Sequence, residues 1–229
     1  MSAITVLRKR YPLFWKKYKK IFAGRQTPIT QREKISDAAI PYVEYYDCFS
    51  ANTEILFVGS NPSGTDSGYY KANNPSNSEI IEYNNIRNTR YYKEYAKIAD
   101  RIGVTESKIS VMDLFGIVQS KQSVIENDYA AAISSSPNPY TEMIQIFLEV
   151  VKELKPKIII VANAFVRRVL LSELQGRMSW DCGYGGYHLI VDGFCAKVYF
   201  TSMLYGNRAL DQGNRENLVW IVQRYLNKP

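Results

Sequence analysis

The chain has 229 residues, 46% of them hydrophobic, which is enough to bury one core without a disulfide or metal to support it. Lys and Arg outnumber Asp and Glu by 29 to 22, and the net charge of +7 favours a polyanionic partner without requiring one. Three scattered cysteines and one histidine exclude a cysteine-ligated or histidine-rich metal site. We therefore expect a single domain over 1–229, monomeric, with no metal and no cofactor.

The sequence contains no apolar run of roughly 18 residues, the length that a membrane-spanning helix needs. Its first residues, MSAITVLRKRY, also lack the apolar stretch of a secretory signal. We expect a soluble cytoplasmic protein with no membrane partner.

Basic residues are concentrated near the start of the chain, where they alternate with leucine and aromatic residues. This pattern predicts an amphipathic helix in a basic N-terminal extension over 1–30. Its basic face either contacts phosphates or is the solvated face of a packed terminal helix, and the sequence leaves both readings open. The basic residues are Arg8, Lys9, Arg10, Lys16, Lys17, Lys19, Lys20 and Arg25.

Short apolar runs rich in β-branched residues alternate with longer segments of helical periodicity. The predicted strands are 55–58, 109–115, 158–161, 188–191 and 198–203, and the predicted helices are 79–102, 140–154, 164–174 and 215–225. Three glycines within 183–186 suggest a turn into an added hairpin strand near His188. The alternation predicts an α/β fold of three α/β/α layers around a central, mostly parallel sheet of about four or five strands.

The segment 55–64, ILFVGSNPSG, carries the strongest functional signal. A buried strand ends at Gly59, which permits close approach of a ligand to the backbone, and Pro62 stiffens the turn that presents Asn61. The pattern is neither a Walker loop nor a dinucleotide fingerprint. Ligands of open α/β sheets bind at the carboxyl ends of strands, so this turn is a candidate site, although a purely structural turn fits the same residues.

The run FVGSNPSGTDSG resembles the first active-site motif of the uracil-DNA glycosylase superfamily, above all its mismatch-specific and single-strand-selective branches, whose pattern is G-[IM]-N-P-G. The resemblance implies a fold of that type and DNA with a damaged or deaminated base as partner. It assigns to Asn61 the role of positioning and polarising the water that attacks the sugar C1′. It also implies that Gly59 and Ser60 contact the base and that Ser63 and Gly64 contact DNA; Ser63 replaces the usual Gly.

Three further segments are similar to the family in the same order: ISVMDLFGIV, KIIIVANAFVRRVL and VYFTSMLYGNRALDQGNRENL. The last occupies the place of the second active-site motif, which normally contains His-Pro-Ser or Asn-Pro-Ser. Thr201 and Ser202 stand there instead, and a hydroxyl is a weaker donor to a departing base than a charge-assisted group. With Thr201 and Ser202 in the catalytic role, we expect a slow enzyme, an unusual leaving group or no catalysis.

Asp113 matches the position at which the family reads the base, where the best-known branch has Asn. An ionised carboxylate only accepts hydrogen bonds. This predicts that Asp113 moves the preference from uracil toward a base with an exocyclic amine. The alternative is that Asp113 is a strand-end residue that caps a nearby turn.

Other candidate residues hold the flipped base and the DNA strand. Tyr70, with Tyr69 beside it, is the candidate to stack on the base. After the last strand, Leu204 or Tyr205 can fill the gap left in the duplex, and Arg208 can contact phosphates. An ordinary turn followed by a helix cap explains the same stretch equally well.

Two hypotheses follow for the function. The first is a monofunctional DNA glycosylase of base-excision repair, since no lysine is placed for Schiff-base chemistry. The second is a catalytically weak or inactive module of the same fold that binds a nucleobase or nucleic acid. A different small-molecule hydrolase remains a third alternative, and the lone His188 is interpreted as a structural residue.

Overall fold

The computed structural model describes residues 2–23, 43–62, 80–83, 86–118, 122–134, 137–205 and 209–228. Helices and strands alternate along this part of the chain. The α-helices are α1 (Ala3–Ala23), α2 (Arg90–Ile102), α3 (Gln122–Ala132), α4 (Pro139–Leu154), α5 (Ala164–Glu173) and α6 (Gln212–Leu226). The strands are β1 (Val43–Tyr46), β2 (Ile55–Gly59), β3 (Ile80–Tyr83), β4 (Ile109–Asp113), β5 (Ile158–Val161), β6 (Met178–Trp180), β7 (Tyr187–Val191) and β8 (Phe194–Phe200).

The central sheet has the strand order β4-β2-β5-β8-β7-β6. The first four strands are parallel, and β7 and β6 are added antiparallel at one edge. The predicted α/β class with a mostly parallel central sheet is therefore confirmed. The strand number of four or five was too low, because β6 has only three residues and lacks an apolar run. The strands β1 and β3 form a separate parallel pair.

Two hydrophobic cores lie on opposite faces of the sheet, because successive side chains of a strand point to opposite sides. On β2, Leu56 and Val58 belong to the core under α1, α4 and α5, whereas Ile55 and Phe57 belong to the core under α2 and α6. Both faces of the parallel strands are thus covered, which explains their continuous apolar sequences.

The helix α2 begins eleven residues later than the predicted helix 79–102, because residues 80–83 form β3 instead. Thr89 fixes the start of α2, since its side chain accepts a hydrogen bond from the Tyr92 backbone N–H. Gly103, in the left-handed conformation at φ 92°, ends the helix. Local capping groups therefore set these boundaries more sharply than apolar periodicity does.

The predicted N-terminal helix is present and packs against α4, and its Leu7, Phe14 and Trp15 side chains are buried. Several of its basic residues form ion pairs within the chain. Arg10 contacts Glu142 and Glu149 at 2.7 and 2.6 Å, and Arg8 contacts Glu82 at 2.6 Å. Lys17 lies 3.3 Å from Glu142. These contacts favour the reading of α1 as a packed terminal helix over that of a phosphate-binding surface.

Candidate functional site

The order of the parallel strands places a topological switch point between β2 and β5. The chain passes from β2 to β4 on one side and from β5 to β8 on the other, so the connections diverge between these two strands. Open α/β sheets bind ligands at such points, outside the carboxyl ends of the strands. The turn with Asn61 follows β2 at this edge. Asn163 follows β5, but its side chain caps α5 by accepting from the Phe165 and Val166 backbone N–H groups.

The ends of β2 and β4 are in direct contact. Gly59 pairs with Asp113 across the two strands. Beyond the strands, the Leu114 and Phe115 backbone N–H groups donate to the carbonyls of Gly59 and Ser60 at 3.1 and 2.9 Å. The predicted base-contacting residues Gly59, Ser60 and Asp113 are therefore neighbours in space.

Asp113 occupies a buried position with 7% of its surface exposed. The Tyr46 hydroxyl donates to Oδ2 at 2.6 Å, and the Tyr91 hydroxyl lies 3.5 Å from Oδ1. Burial raises the pKa of Asp113 from 3.8 to about 7, although the hydrogen bonds from the two tyrosines act in the opposite direction. Near neutral pH the side chain therefore exists in both forms, as a donor when protonated and as an acceptor only when ionised.

The two residues after Gly59 present different polar groups. Ser60 is buried, and its hydroxyl has no hydrogen-bond partner among the described residues. Asn61 is half-buried and its side-chain N–H donates to the Pro62 carbonyl at 2.9 Å, a bond that also suits a structural turn. A buried hydroxyl without a partner loses its bonds to water, so a ligand that bonded it would recover that loss.

The predicted residues of the second motif follow β8, which lies two strands from β2 in the sheet. Thr201 and Ser202 line a cleft of about 550 Å³ between α5, α6 and the strands β6 to β8. The Thr201 backbone N–H donates to the Val161 carbonyl at 2.9 Å, which joins the end of β8 to that of β5. The predicted catalytic residues thus follow two different parallel strands, Asn61 after β2 and Thr201 and Ser202 after β8.

The predicted wedge residues differ in accessibility. Leu204 is 1% exposed and belongs to the core under α6, so in this conformation it cannot enter a duplex. Its apolar side chain is needed for packing, which corrects the prediction of a DNA contact. Tyr205 is half-buried, with the Arg90 guanidinium 5.3 Å from its ring centroid. Asp211 caps α6 through the Asn214 N–H, as the alternative of a turn and cap predicts.

Four predicted residues lie outside the described part of the chain. They are Ser63, Gly64, Tyr70 and Arg208; Tyr69, named beside Tyr70, also lies outside it.

The sequence analysis missed a charged cluster on the hairpin. Lys197 is completely buried, and its Nζ lies 2.5 Å from Oδ2 of Asp181. This hydrogen bond lowers the pKa of Asp181 to about 2. His188 lies 3.4 Å from the same oxygen, consistent with a structural role. A lysine within the apolar strand FCAKVYF was the available signal, but its acidic partner is 16 residues away.

The ends of β2 and β4 bring together two buried polar side chains, the Ser60 hydroxyl and the Asp113 carboxyl group. No group of three or more His, Cys, Asp and Glu side chains suited to a metal occurs in the described ranges. The helices described also include none that is both long and apolar enough to cross a membrane.

In comparisons with known proteins, the sequence matches no protein-family model and no curated protein.

Proposed function

We propose that this chain is a DNA glycosylase of the uracil-DNA glycosylase type, which hydrolyses the N-glycosidic bond of a deaminated or modified base. The observation that carries the proposal is the contact between Gly59, in the Gly-Ser-Asn-Pro turn, and the buried Asp113. The motif resemblance assigns these two positions to the base pocket. They lie at the sheet edge where ligands of open α/β folds bind.

In this proposal Asp113 and Ser60 read the base. A protonated Asp113 donates to a carbonyl oxygen of the base and stabilises the negative charge that develops as the base departs. An ionised Asp113 accepts from an exocyclic amine. The pKa of about 7 makes both modes accessible near neutral pH, so the preference between oxo and amino bases changes with pH. The Ser60 hydroxyl supplies a second group of either polarity.

Asn61 then holds the attacking water. Its N–H donates to the Pro62 carbonyl at 2.9 Å, which fixes the plane of the amide. The amide oxygen is the atom that accepts a hydrogen bond from the water. Positioning a nucleophile in this way contributes through orientation rather than through proton transfer, since an amide is neither an acid nor a base at neutral pH.

One observation favours the second hypothesis, a binding module that has lost catalysis. The hydroxyls of Thr201 and Ser202 stand where the family has a stronger donor, and they line a cleft two strands from Asn61. The sole histidine of the sequence, His188, pairs with Asp181 on the hairpin instead. Such a module retains the contact between Gly59 and Asp113 and binds a base without releasing it from the sugar.

A glycosylase assay separates the two hypotheses. Labelled oligonucleotides carry uracil, hypoxanthine, xanthine or 5-hydroxymethyluracil, as single strands and opposite each base, at enzyme excess and low salt. Alkali-labile product that is lost in Asn61→Ala supports the enzyme. The matched control is Asn52→Ala, an exposed asparagine in the turn before β2 at the opposite end of that strand. Absence of product from every substrate, together with tight binding to one of them, supports the module.

A further inference from the structure

The cleft between the β6–β7 hairpin and α6 has a row of aromatic side chains along one wall. Trp180 meets Tyr187 edge to face with ring centroids 5.1 Å apart, and Tyr187 meets Phe200 in the same way at 5.5 Å. All three line the cleft, whose volume of about 550 Å³ falls in the usual range for small-ligand sites, about 300–1,000 Å³. Trp180 is 58% exposed, so much of the indole remains available to a ligand.

One arginine lines the cleft, and a second lies on α6 outside its lining. Arg167 lines it, with its guanidinium 5.9 Å from the Phe200 ring centroid. On α6, Arg224 lies 5.5 Å from the rings of both Tyr184 and Trp220, and Trp220 is 57% exposed. Within the described ranges no carboxylate forms an ion pair with Arg167 or Arg224, in contrast to Arg8 and Arg10 of α1. Their charges therefore remain available to an anionic ligand.

We propose that this aromatic cleft binds single-stranded DNA, with a base stacked on Trp180 and Arg167 near the backbone. Exposed aromatic rings interleaved with arginine are the recurring means of binding single strands, because every base has a π-face and every linkage a negative charge. The bases of a duplex are already stacked on each other and present no free face. The polar side chains of Asn214, Asn217 and Ser202 supply contacts to base edges or sugars.

The cleft lies at the same edge of the sheet as the turn with Asn61. Thr201, at the end of β8, lines the cleft and is bonded to the end of β5, which neighbours β2. A strand held in the cleft therefore passes the carboxyl edge of the sheet where Asn61 and Asp113 lie. The choice of DNA as ligand rests on the proposed function, which this proposal deepens by naming the single-stranded form as substrate. The stacking itself is independent of catalysis.

Fluorescence anisotropy with a 5′-labelled oligothymidylate of the length of a dodecamer tests the proposal. Truncation of a stacking side chain is expected to weaken binding roughly five- to 150-fold, so we expect a rise in Kd of that size for Trp180→Ala. Trp180→Phe retains most of the affinity, because it keeps a ring. The matched control is Ile190→Ala on β7, which removes another exposed apolar side chain, 51% exposed, and is expected to leave Kd unchanged.

Three ligand comparisons sharpen the test. A duplex of matched sequence and an abasic strand of equal length are expected to bind at least fivefold more weakly. Equal affinity for either one, or an unchanged Kd for Trp180→Ala, overturns stacking of unpaired bases in the cleft. Tighter binding of oligouridylate than of oligothymidylate overturns the assignment to DNA.

The glycosylase assay keeps the two proposals distinguishable. Binding that depends on Trp180, with no product from any modified base, supports the cleft and counts against the enzyme. Product formation that is insensitive to Trp180→Ala, on single strands at concentrations below Kd, supports the enzyme and overturns the cleft as its substrate-binding surface.

Discussion

Oδ1 of Asp113 fills the space in which a side chain at position 59 would begin. A Cβ built on Gly59 overlaps that oxygen and lies 2.5 Å from the Tyr91 hydroxyl. Position 59 must therefore be glycine because the Asp113 carboxyl group leaves no room for a side chain. The backbone conformation at this position does not itself require glycine. Because Gly59 has no side chain, the buried Asp113 carboxyl group can pack directly against the backbone at the end of β2.

The first prediction concerns this contact. We expect Gly59→Ala to lower the free energy of unfolding by about 1–3 kcal/mol, because both Asp113 and Tyr91 must move, and to abolish base binding. The control is Gly176→Ala, since a Cβ there meets no atom within 4 Å. Urea unfolding curves measure both variants. A Gly59→Ala protein as stable as Gly176→Ala contradicts the contact.

The second prediction concerns the pH dependence of stability. Below about pH 4 Asp113 is protonated in both the folded and the unfolded state. Between about pH 4 and 7 the unfolded state, with a pKa near 3.8, releases the proton first, so stability falls as pH rises and stays low above 7. The shift of about three pH units corresponds to roughly 4 kcal/mol at most.

Asp113→Asn removes this dependence, because the amide does not titrate. We expect the variant to match or exceed the wild type in stability at pH 8 and to lose that advantage at pH 4. Asp100→Asn, at an exposed position on α2, is the control and keeps the wild-type profile. Parallel profiles for wild type and Asp113→Asn between pH 4 and 8 contradict the raised pKa.

The third prediction separates a ligand-binding hydroxyl from a structural one. Ser60 and Ser110 are both buried, but the Ser110 hydroxyl is bonded to Thr53 Oγ1 at 2.6 Å and accepts from the Ser50 N–H at 3.0 Å. We expect Ser60→Ala to leave unfolding unchanged or to stabilise the free protein by about 1 kcal/mol, and Ser110→Ala to destabilise it by about 1–3 kcal/mol.

For base affinity we expect the larger effect from Ser60→Ala and no effect from Ser110→Ala. Ser60→Ala weakens binding because the ligand loses a partner, whereas Ser110→Ala leaves it unaltered once the protein is folded. Calorimetric titration with the preferred base or nucleoside measures this. A Ser60→Ala variant that is destabilised like Ser110→Ala shows that the hydroxyl serves the fold.

The fourth prediction concerns the buried charge on the hairpin. Asp181→Asn leaves the Lys197 ammonium without its counter-ion, and breaking such a pair costs about 3–5 kcal/mol. Lys197→Met is expected to cost less, because Asp181 retains the Gly183 and Tyr184 N–H groups at 2.9 and 3.3 Å. The double variant recovers most of the loss of Asp181→Asn. Thermal unfolding of the three variants tests this order, and additive losses contradict the pairing.

Wild-type stability also falls at low pH through Asp181. Its pKa is lowered in the folded state to about 2, so its contribution is complete above its ordinary value of 3.8 and is lost as the pH falls through 2. This acid-side loss is absent from Asp181→Asn.

The sequence predicts the parallel strands well, because strands buried on both faces are apolar throughout and contrast with the helices between them. It fails for β6, where Met178 to Trp180 forms only three residues of strand, none of them fully buried. It also predicts too long a helix before Ile102, because β3 has no strong pattern of its own. Such elements are stabilised by contacts that are distant in sequence.

The candidate site shows the same limit. The glycine and asparagine of the first motif stand out by local pattern, and Asp113 stands out as the polar end of an apolar strand. The two tyrosines that bond Asp113 come from β1 and α2, and no local pattern connects them with it. The aromatic cleft likewise unites β6, β7, β8 and α6. Eighteen tyrosines in one sequence give no indication of which of them face a ligand.

The antiparallel hairpin of β6 and β7 joins the sheet only through β8, whereas the turn at Asn61 depends on the four parallel strands. The proposed binding of the DNA strand and the proposed hydrolysis therefore involve different parts of one sheet. Residues at the tip and outer face of the hairpin can be substituted without any change in the parallel strands. To redirect this protein to another polymer, it would therefore be sufficient to vary the hairpin residues and to keep Asn61 and Asp113 unchanged.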